Sequence, residues 1–103
     1  MAKSALNALP PMTEKQWMAQ VVDLADVFGW AHYHPWLSIH SPAGWPDLAL
    51  VRPPRLILAE LKTEKGKVSA HQEHWLGLLR QCPGIEVCVW RPSDFDEVRA
   101  VLT

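Results

Sequence analysis

Residues 47–62 have the sequence DLALVRPPRLILAELK, in which two apolar runs are separated by residues 52–55, RPPR. The apolar runs have the length and composition that are typical of buried strands. Prolines cannot donate hydrogen bonds to a β-ladder, so the Pro53-Pro54 pair marks the turn between the two strands. The stretch therefore predicts a β-hairpin in which Val51 pairs with Leu56.

Two carboxylates face each other in this register. Counting outward from the turn, Asp47 lies directly opposite Glu60, and opposed side chains are about 4.5–5.5 Å apart at Cβ. Like charges at this separation destabilise a sheet unless a cation neutralises them, and Mg²⁺ prefers such oxygen ligands. Lys62 is expected on the same face as Glu60, where it can position a water molecule or stabilise charge on phosphorus. A register slip of one residue would turn Asp47 away, and Glu60 with Lys62 can also be an ordinary exposed pair.

Periodicity and capping signals outline the rest of the chain. The other elements that we predict are, in chain order, a helix over residues 14–28, a strand over 30–34, a loop over 36–46, a helix that follows Ser69 and ends before Pro83-Gly84, a strand over 85–90 and a final helix capped by Ser93. The resulting order, αβββαβα, predicts an α/β fold with a mixed central sheet flanked by helices. We expect a single domain over residues 12–103, preceded by a flexible lead-in over residues 1–11.

The composition is that of an ordinary folded domain. The chain has 103 residues, of which 49% are hydrophobic and 20% are charged, and its formal net charge is -1. These values exclude a disordered chain and a basic coat protein, so any site for a polyanion must be a local patch. The chain has two cysteines, residues 1–9 do not have the apolar run and cleavage site of a signal peptide, and no apolar run reaches membrane-spanning length. We therefore expect a soluble, cytoplasmic protein that is not secreted and has no membrane partner.

Two polar residues at the starts of helices are further candidates. Glu14 lies three residues before Trp17 and seven before Val21, at the top of an apolar stripe, so it should face the sheet. A glutamate in the first turn is equally well explained by the helix dipole. Gln72 can hold a water molecule or a phosphate oxygen, but it also lies three residues after Ser69, at the capping-box position. Spacing alone favours the cap.

Five of the tryptophans fall into two classes by their surroundings in the sequence. Trp17, Trp75 and Trp90 lie in apolar periodic stripes, and we expect them in the core. Trp36 and Trp45 lie in the predicted loop, where they are candidates for contact with nucleic acid or with a second subunit.

Several of these residues together resemble a nuclease motif. The segments Gly44-Trp45-Pro46-Asp47-Leu48, Glu60-Leu61-Lys62-Thr63 and Lys65-Gly66, together with Gln72, resemble the PD-(D/E)xK nuclease superfamily and, more narrowly, the VRR-NUC family. The resemblance extends from Thr13 to Val98. It implies a restriction-endonuclease-like core and phosphodiester hydrolysis that depends on Mg²⁺ or Mn²⁺.

The resemblance also implies a role for individual residues. The metal ligands would be Glu14, Asp47, Glu60 and the carbonyl of Leu61. The catalytic residues would be Asp47, Glu60, Lys62, as the catalytic lysine, and Gln72. We add Lys65, Lys67 and Trp45 as candidate DNA contacts, although a solvated loop explains the two lysines equally well.

Small stand-alone members of this family, often viral, look like homodimeric nucleases that cut branched DNA such as four-way (Holliday) junctions. We therefore predict a structure-selective DNA endonuclease, with a non-cleaving DNA-binding or DNA-packaging module as the alternative. Two symmetric cuts are made most simply by a two-fold dimer. The apolar segment 35–39 is its expected contact surface, unless this segment folds back onto its own core.

Overall fold

A computed structural model describes residues 11–35 and 43–103 of the chain. The elements, in chain order, are helix α1 (Glu14–Val27), strands β1 (Ala31–Tyr33), β2 (Leu48–Arg52) and β3 (Arg55–Leu61), helix α2 (Ala70–Arg80), strand β4 (Ile85–Trp90), a 3₁₀ turn (Pro92–Asp94) and helix α3 (Phe95–Leu102). The predicted order αβββαβα is confirmed. Most of the predicted lead-in and most of the predicted loop, including Trp36, lie outside the described residues.

The four strands form one mixed sheet in the order β1-β2-β3-β4. β2 is antiparallel to both β1 and β3, whereas β3 and β4 are parallel and are connected through α2. Val51 pairs with Leu56, and Arg52 with Arg55, across a two-residue turn, which confirms the predicted hairpin. The last pair of this ladder is Leu48 with Ala59. Extending the register by one step sets Asp47 opposite Glu60.

Helices cover both faces of the sheet. One face carries the main hydrophobic cluster, which contains residues from α1, α3 and the strands: Trp17, Val21, Ala25, Trp30, Leu48, Leu50, Ile57, Ala59, Leu61, Trp90, Val98 and Leu102. Successive side chains of a strand point to opposite faces, so Glu60 points away from this cluster and toward α2. Among the helices of residues 11–35 and 43–103, none has the length and apolar character needed to cross a membrane.

Local capping signals place two of the helix starts correctly and one wrongly. Capping boxes are present at α1, with Thr13, and at α2, with Ser69. The prediction that Ser93 caps the last helix is wrong. Pro92 begins a 3₁₀ turn, so α3 starts only at Phe95, with Asp94 at its N-cap position and no side-chain capping bond; the Asp94 carboxylate instead accepts a hydrogen bond from the Arg91 N–H at 2.9 Å.

Candidate active site

Three carboxylates from separate parts of the chain meet at one end of the sheet. Glu14 begins α1, Asp47 precedes β2 and Glu60 lies near the end of β3. One oxygen from each carboxylate lies within 4.8 Å of the others. Glu14 is exposed, Asp47 is half-buried and Glu60 is 1% exposed. Such a group of hard oxygen donors, partly open to solvent, has the chemistry of a site for a divalent cation.

Only one of the two carboxylate oxygens of Glu60 has a hydrogen-bond partner among the described residues. Its Oε2 accepts a hydrogen bond from Gln72 Nε2 at 2.8 Å and lies 3.6 Å from Lys62 Nζ. Its Oε1 is buried and has no hydrogen-bond partner among the described residues. An unpartnered buried carboxylate oxygen is costly unless a cation or water binds it, so the residues present fit a divalent metal.

Main-chain groups of β3 orient the other members of the site. The N–H of Leu61 donates to Asp47 Oδ2 at 2.9 Å, which fixes the carboxylate beside the strand end. The family resemblance implies that the Leu61 carbonyl is a metal ligand. The main-chain N–H of the same residue contacts Asp47. Lys62 follows directly, with its side chain 12% exposed.

The carbonyl of Trp90, the last residue of β4, connects α1 with the end of β3. The sequence did not indicate this contact. The carbonyl accepts hydrogen bonds from the indole of Trp17 and from the main-chain N–H of Lys62, both at 3.0 Å. Trp17 lies one helical turn after Glu14, whereas Lys62 follows Glu60 by two residues. A single acceptor therefore holds the start of α1 against the end of β3. This sets the distance between Glu14 and the hairpin carboxylates.

Gln72 is part of the capping box of α2 and also contacts the acidic group. Its Oε1 accepts from the Ser69 N–H at 2.8 Å, and its own N–H donates to Ser69 Oγ at 3.2 Å, as a capping box requires. The remaining side-chain nitrogen is the one that reaches Glu60. The capping role that the spacing favours is confirmed, and the amide can contact Glu60 as well because it has separate donor and acceptor ends.

The predicted cationic loop is held in place by Arg91, a residue that sequence reasoning did not select. The Arg91 guanidinium donates to the carbonyls of Thr63 and Gly66, and Ser93 N–H donates to the Glu64 carboxylate. These contacts fix the segment 63–66 beside Lys62. Within and next to it, Lys65 and Lys67 are exposed.

Trp75 does not lie in the core, contrary to the prediction from its periodicity. It is half-buried and contacts Trp45 edge to face, with ring centroids 5.1 Å apart. The apolar stripe of α2 is completed by a loop residue rather than by the sheet. Trp17 and Trp90 are buried as predicted, and Trp45 is 43% exposed.

Burial raises the pKa of Glu60 from 4.5 to about 8, and the nearby Asp47 carboxylate adds to this effect, while the Lys62 ammonium opposes it. Between pH 4.5 and about pH 8, the Glu60 carboxyl therefore keeps its proton in the folded protein but has lost it in the unfolded chain. Without metal, the free energy of unfolding should therefore fall as the pH rises from about 4.5 to about 8. The slope is at most about 1.4 kcal/mol per pH unit.

We expect chemical denaturation of the metal-free protein across this pH range to show the slope, and Glu60→Gln to remove it. Mg²⁺ should restore stability most strongly at the alkaline end, because it competes with the proton for the same oxygen. Glu73→Gln, which neutralises an exposed carboxylate on α2, is the matched control and should keep the wild-type slope. A wild-type slope in Glu60→Gln would contradict the assignment.

The comparison with protein families agrees with this geometry. The family model for the VRR-NUC domain matches residues 7–93 of the chain. No curated protein and no solved structure matches it. The match covers the acidic group, Lys62 and Gln72, together with all four strands of the mixed sheet that carries them. The chain belongs to the VRR-NUC domain family, a family of nucleases.

Proposed function

We propose that the protein is an endodeoxyribonuclease that uses Mg²⁺ or Mn²⁺ to hydrolyse phosphodiester bonds, with branched DNA such as a four-way junction as its substrate. The observation that carries this proposal is the carboxylate group with a buried, unpartnered oxygen of Glu60 next to Lys62. Glu14, Asp47, Glu60 and the carbonyl of Leu61 would hold the ion. When bound, such an ion polarises a phosphoryl oxygen and favours deprotonation of water.

We propose a role for each of the remaining side chains, supported by its contacts. Lys62 Nζ lies 3.6 Å from Glu60 Oε2, where it can orient the attacking water or stabilise negative charge on phosphorus. Gln72 fixes Glu60 through one hydrogen bond, so that the other carboxylate oxygen stays available. Lys65, Lys67 and Trp45 are proposed to contact DNA, and Arg91 to keep the loop in register for that contact.

The test is direct incubation with labelled DNA. Four-way junction, flap, splayed and plain duplex substrates are each offered with Mg²⁺, with Mn²⁺ or with EDTA. We expect cleavage of the branched substrates with either metal and none with EDTA. DNA binding without cleavage under every condition would instead favour the non-cleaving binding or packaging module.

Two substitutions can distinguish the capping role of Gln72 from its contact with Glu60. Gln72→Ala removes the bond from the Ser69 N–H to the Gln72 side chain together with the Glu60 contact, whereas Ser69→Ala removes the hydroxyl that accepts from the residue-72 N–H but leaves Gln72 Nε2 on Glu60. Each variant should lose about 1 kcal/mol of stability, because a capping interaction is lost in both. Only Gln72→Ala should also lose about 10- to 100-fold in cleavage rate, since a residue that orients a metal ligand is removed.

Thermal melts and initial rates, measured side by side, check this expectation. Equal cleavage by the two variants would limit Gln72 to the capping role.

We also propose that the protein acts as a homodimer, with the segment 35–39 at the contact, because paired cuts in a four-way junction call for two sites related by symmetry. Light scattering at micromolar concentration should give twice the 11.7 kDa mass of one chain. Trp36→Ser combined with Ile39→Ser should shift the mass toward the monomer and should weaken paired cutting before single nicking. A monomeric wild type that resolves junctions would exclude this arrangement.

A further inference from the structure

The indole of Trp45 lies next to the proposed active site. Trp45 precedes Asp47 by two residues and contacts Trp75 on α2. Trp75 lies three residues after Gln72, whose amide donates to Glu60. Two residues of extended chain span about 7 Å, so the main chain of Trp45 lies within about that distance of Asp47, a member of the acidic group. The indole therefore lies at the edge of the proposed site, next to α2.

The backbone around Trp45 is fixed on both sides. Gly44 has a φ of +97°, and a Cβ at this position would lie 2.4 Å from the main-chain carbonyl of His71. This close approach anchors the loop to the start of α2, and a side chain there is sterically excluded. Pro46, the next residue in the chain, is buried, and Trp75 contacts the Trp45 ring at an interplanar angle of 75°. The indole is thus held in place although 43% of Trp45 is exposed.

We propose that Trp45 is a stacking site for an unpaired nucleobase and that this contact selects DNA with an unpaired nucleotide beside the cut phosphate. The proposal rests on the nuclease function proposed above. A rigid exposed indole offers a large π surface at little entropic cost, and a nucleobase binds such a surface without regard to its identity. Bases inside a duplex have both faces covered by their neighbours. Bulges, flaps and frayed ends supply an unpaired base with a free face, and the base pairs at an open branch point have one face without a stacked neighbour.

The lysines of the proposed site favour nucleic acid over a second copy of the chain as the occupant. Lys62 lies beside Glu60, and Lys65 and Lys67 are exposed in the loop that follows it, so they can contact phosphates of a strand that enters the site. An aromatic platform beside a basic track is the usual combination in proteins that bind single-stranded nucleic acid.

The test measures binding in EDTA, so that no cleavage is needed. Two short labelled duplexes of the same sequence are compared by fluorescence anisotropy, one with a dinucleotide bulge and one fully paired. The wild type should prefer the bulged duplex by about 5- to 100-fold, the range expected for stacking of one base on an aromatic ring. Trp45→Ala and Trp45→Leu should bind the two duplexes equally, and Trp45→Phe should retain most of the preference.

Phe95→Ala is the matched control, because Phe95 has a similar exposure, 38%, but lies on α3. It should keep the wild-type preference. Trp45→Leu retains an apolar contact with Trp75, so it tests stacking even if Trp45→Ala misfolds. Equal binding of both duplexes by the wild type would overturn the proposal, as would a preference that survives in Trp45→Leu. A fall to monomer mass in Trp45→Leu with the preference intact would assign the indole to a contact between copies instead.

The binding preference measured in EDTA is independent of the nuclease assay. A protein that selects the bulged duplex in EDTA but cleaves nothing with Mg²⁺ or Mn²⁺ would retain the stacking site and lose the proposed activity. Cleavage without bulge selection would do the reverse.

Discussion

Glu60→Gln is expected to abolish cleavage and at the same time to stabilise the metal-free protein above neutral pH. The substitution removes a charged metal ligand, and the loss of several kcal/mol of charge stabilisation corresponds to a fall in rate of at least about 10³-fold. The side chain is 1% exposed, so its charged form is costly in the folded state. An amide has no such cost and can still accept the hydrogen bond from Gln72. Activity and stability should thus change in opposite directions.

Cleavage of the labelled junction and urea denaturation in EDTA at alkaline pH measure the two effects. Asp47→Asn should also stop cleavage, because it too removes a charged ligand. Glu73→Gln, on the exposed surface of α2, should leave both quantities unchanged. A Glu60→Gln protein that is inactive and also less stable than the wild type would show that the carboxylate supports the fold rather than a metal site.

Lys62→Ala should abolish cleavage by a different route, with metal binding retained. Lys62 lies beside Glu60 but offers no oxygen ligand, so its loss removes the group that orients water or stabilises charge on phosphorus. The expected fall in rate is about 10²- to 10³-fold, as is typical for removal of one preorganised catalytic donor. Calorimetric titration with Mn²⁺ should show a site still present in Lys62→Ala and absent in Glu60→Gln.

Arg99→Ala controls for the loss of one positive charge, because Arg99 is exposed on α3. Its rate should equal that of the wild type. If Lys62→Ala cleaved DNA at the wild-type rate, or if it lost Mn²⁺ binding together with activity, a separate catalytic role for the lysine would be excluded.

Sequence alone was sufficient for the hairpin and for the order of the elements. The two-residue turn at Pro53-Pro54 is a local signal, and pairs can be counted outward from it because a ladder advances one pair at a time. The same locality explains the correct capping boxes at Thr13 and Ser69. The opposition of Asp47 and Glu60 follows from this counting without any knowledge of the helices.

The surroundings of these carboxylates were decided only by the tertiary structure. Glu14 joins Asp47 and Glu60 because Trp17 and Lys62 share the Trp90 carbonyl, a contact between residues far apart in the chain. No spacing in the sequence records such a contact.

The same reason accounts for the incomplete and wrong predictions on α2 and after β4. Gln72 serves both cap and site because α2 lies over Glu60, and Trp75 leaves the core because Trp45 meets it from a loop. Arg91 was not selected because its acceptors are main-chain carbonyls, which every residue possesses and no sequence pattern distinguishes. Periodicity and capping report on interactions within one element or one turn. Which elements then meet depends on burial of the whole apolar surface, and that is a property of the folded chain.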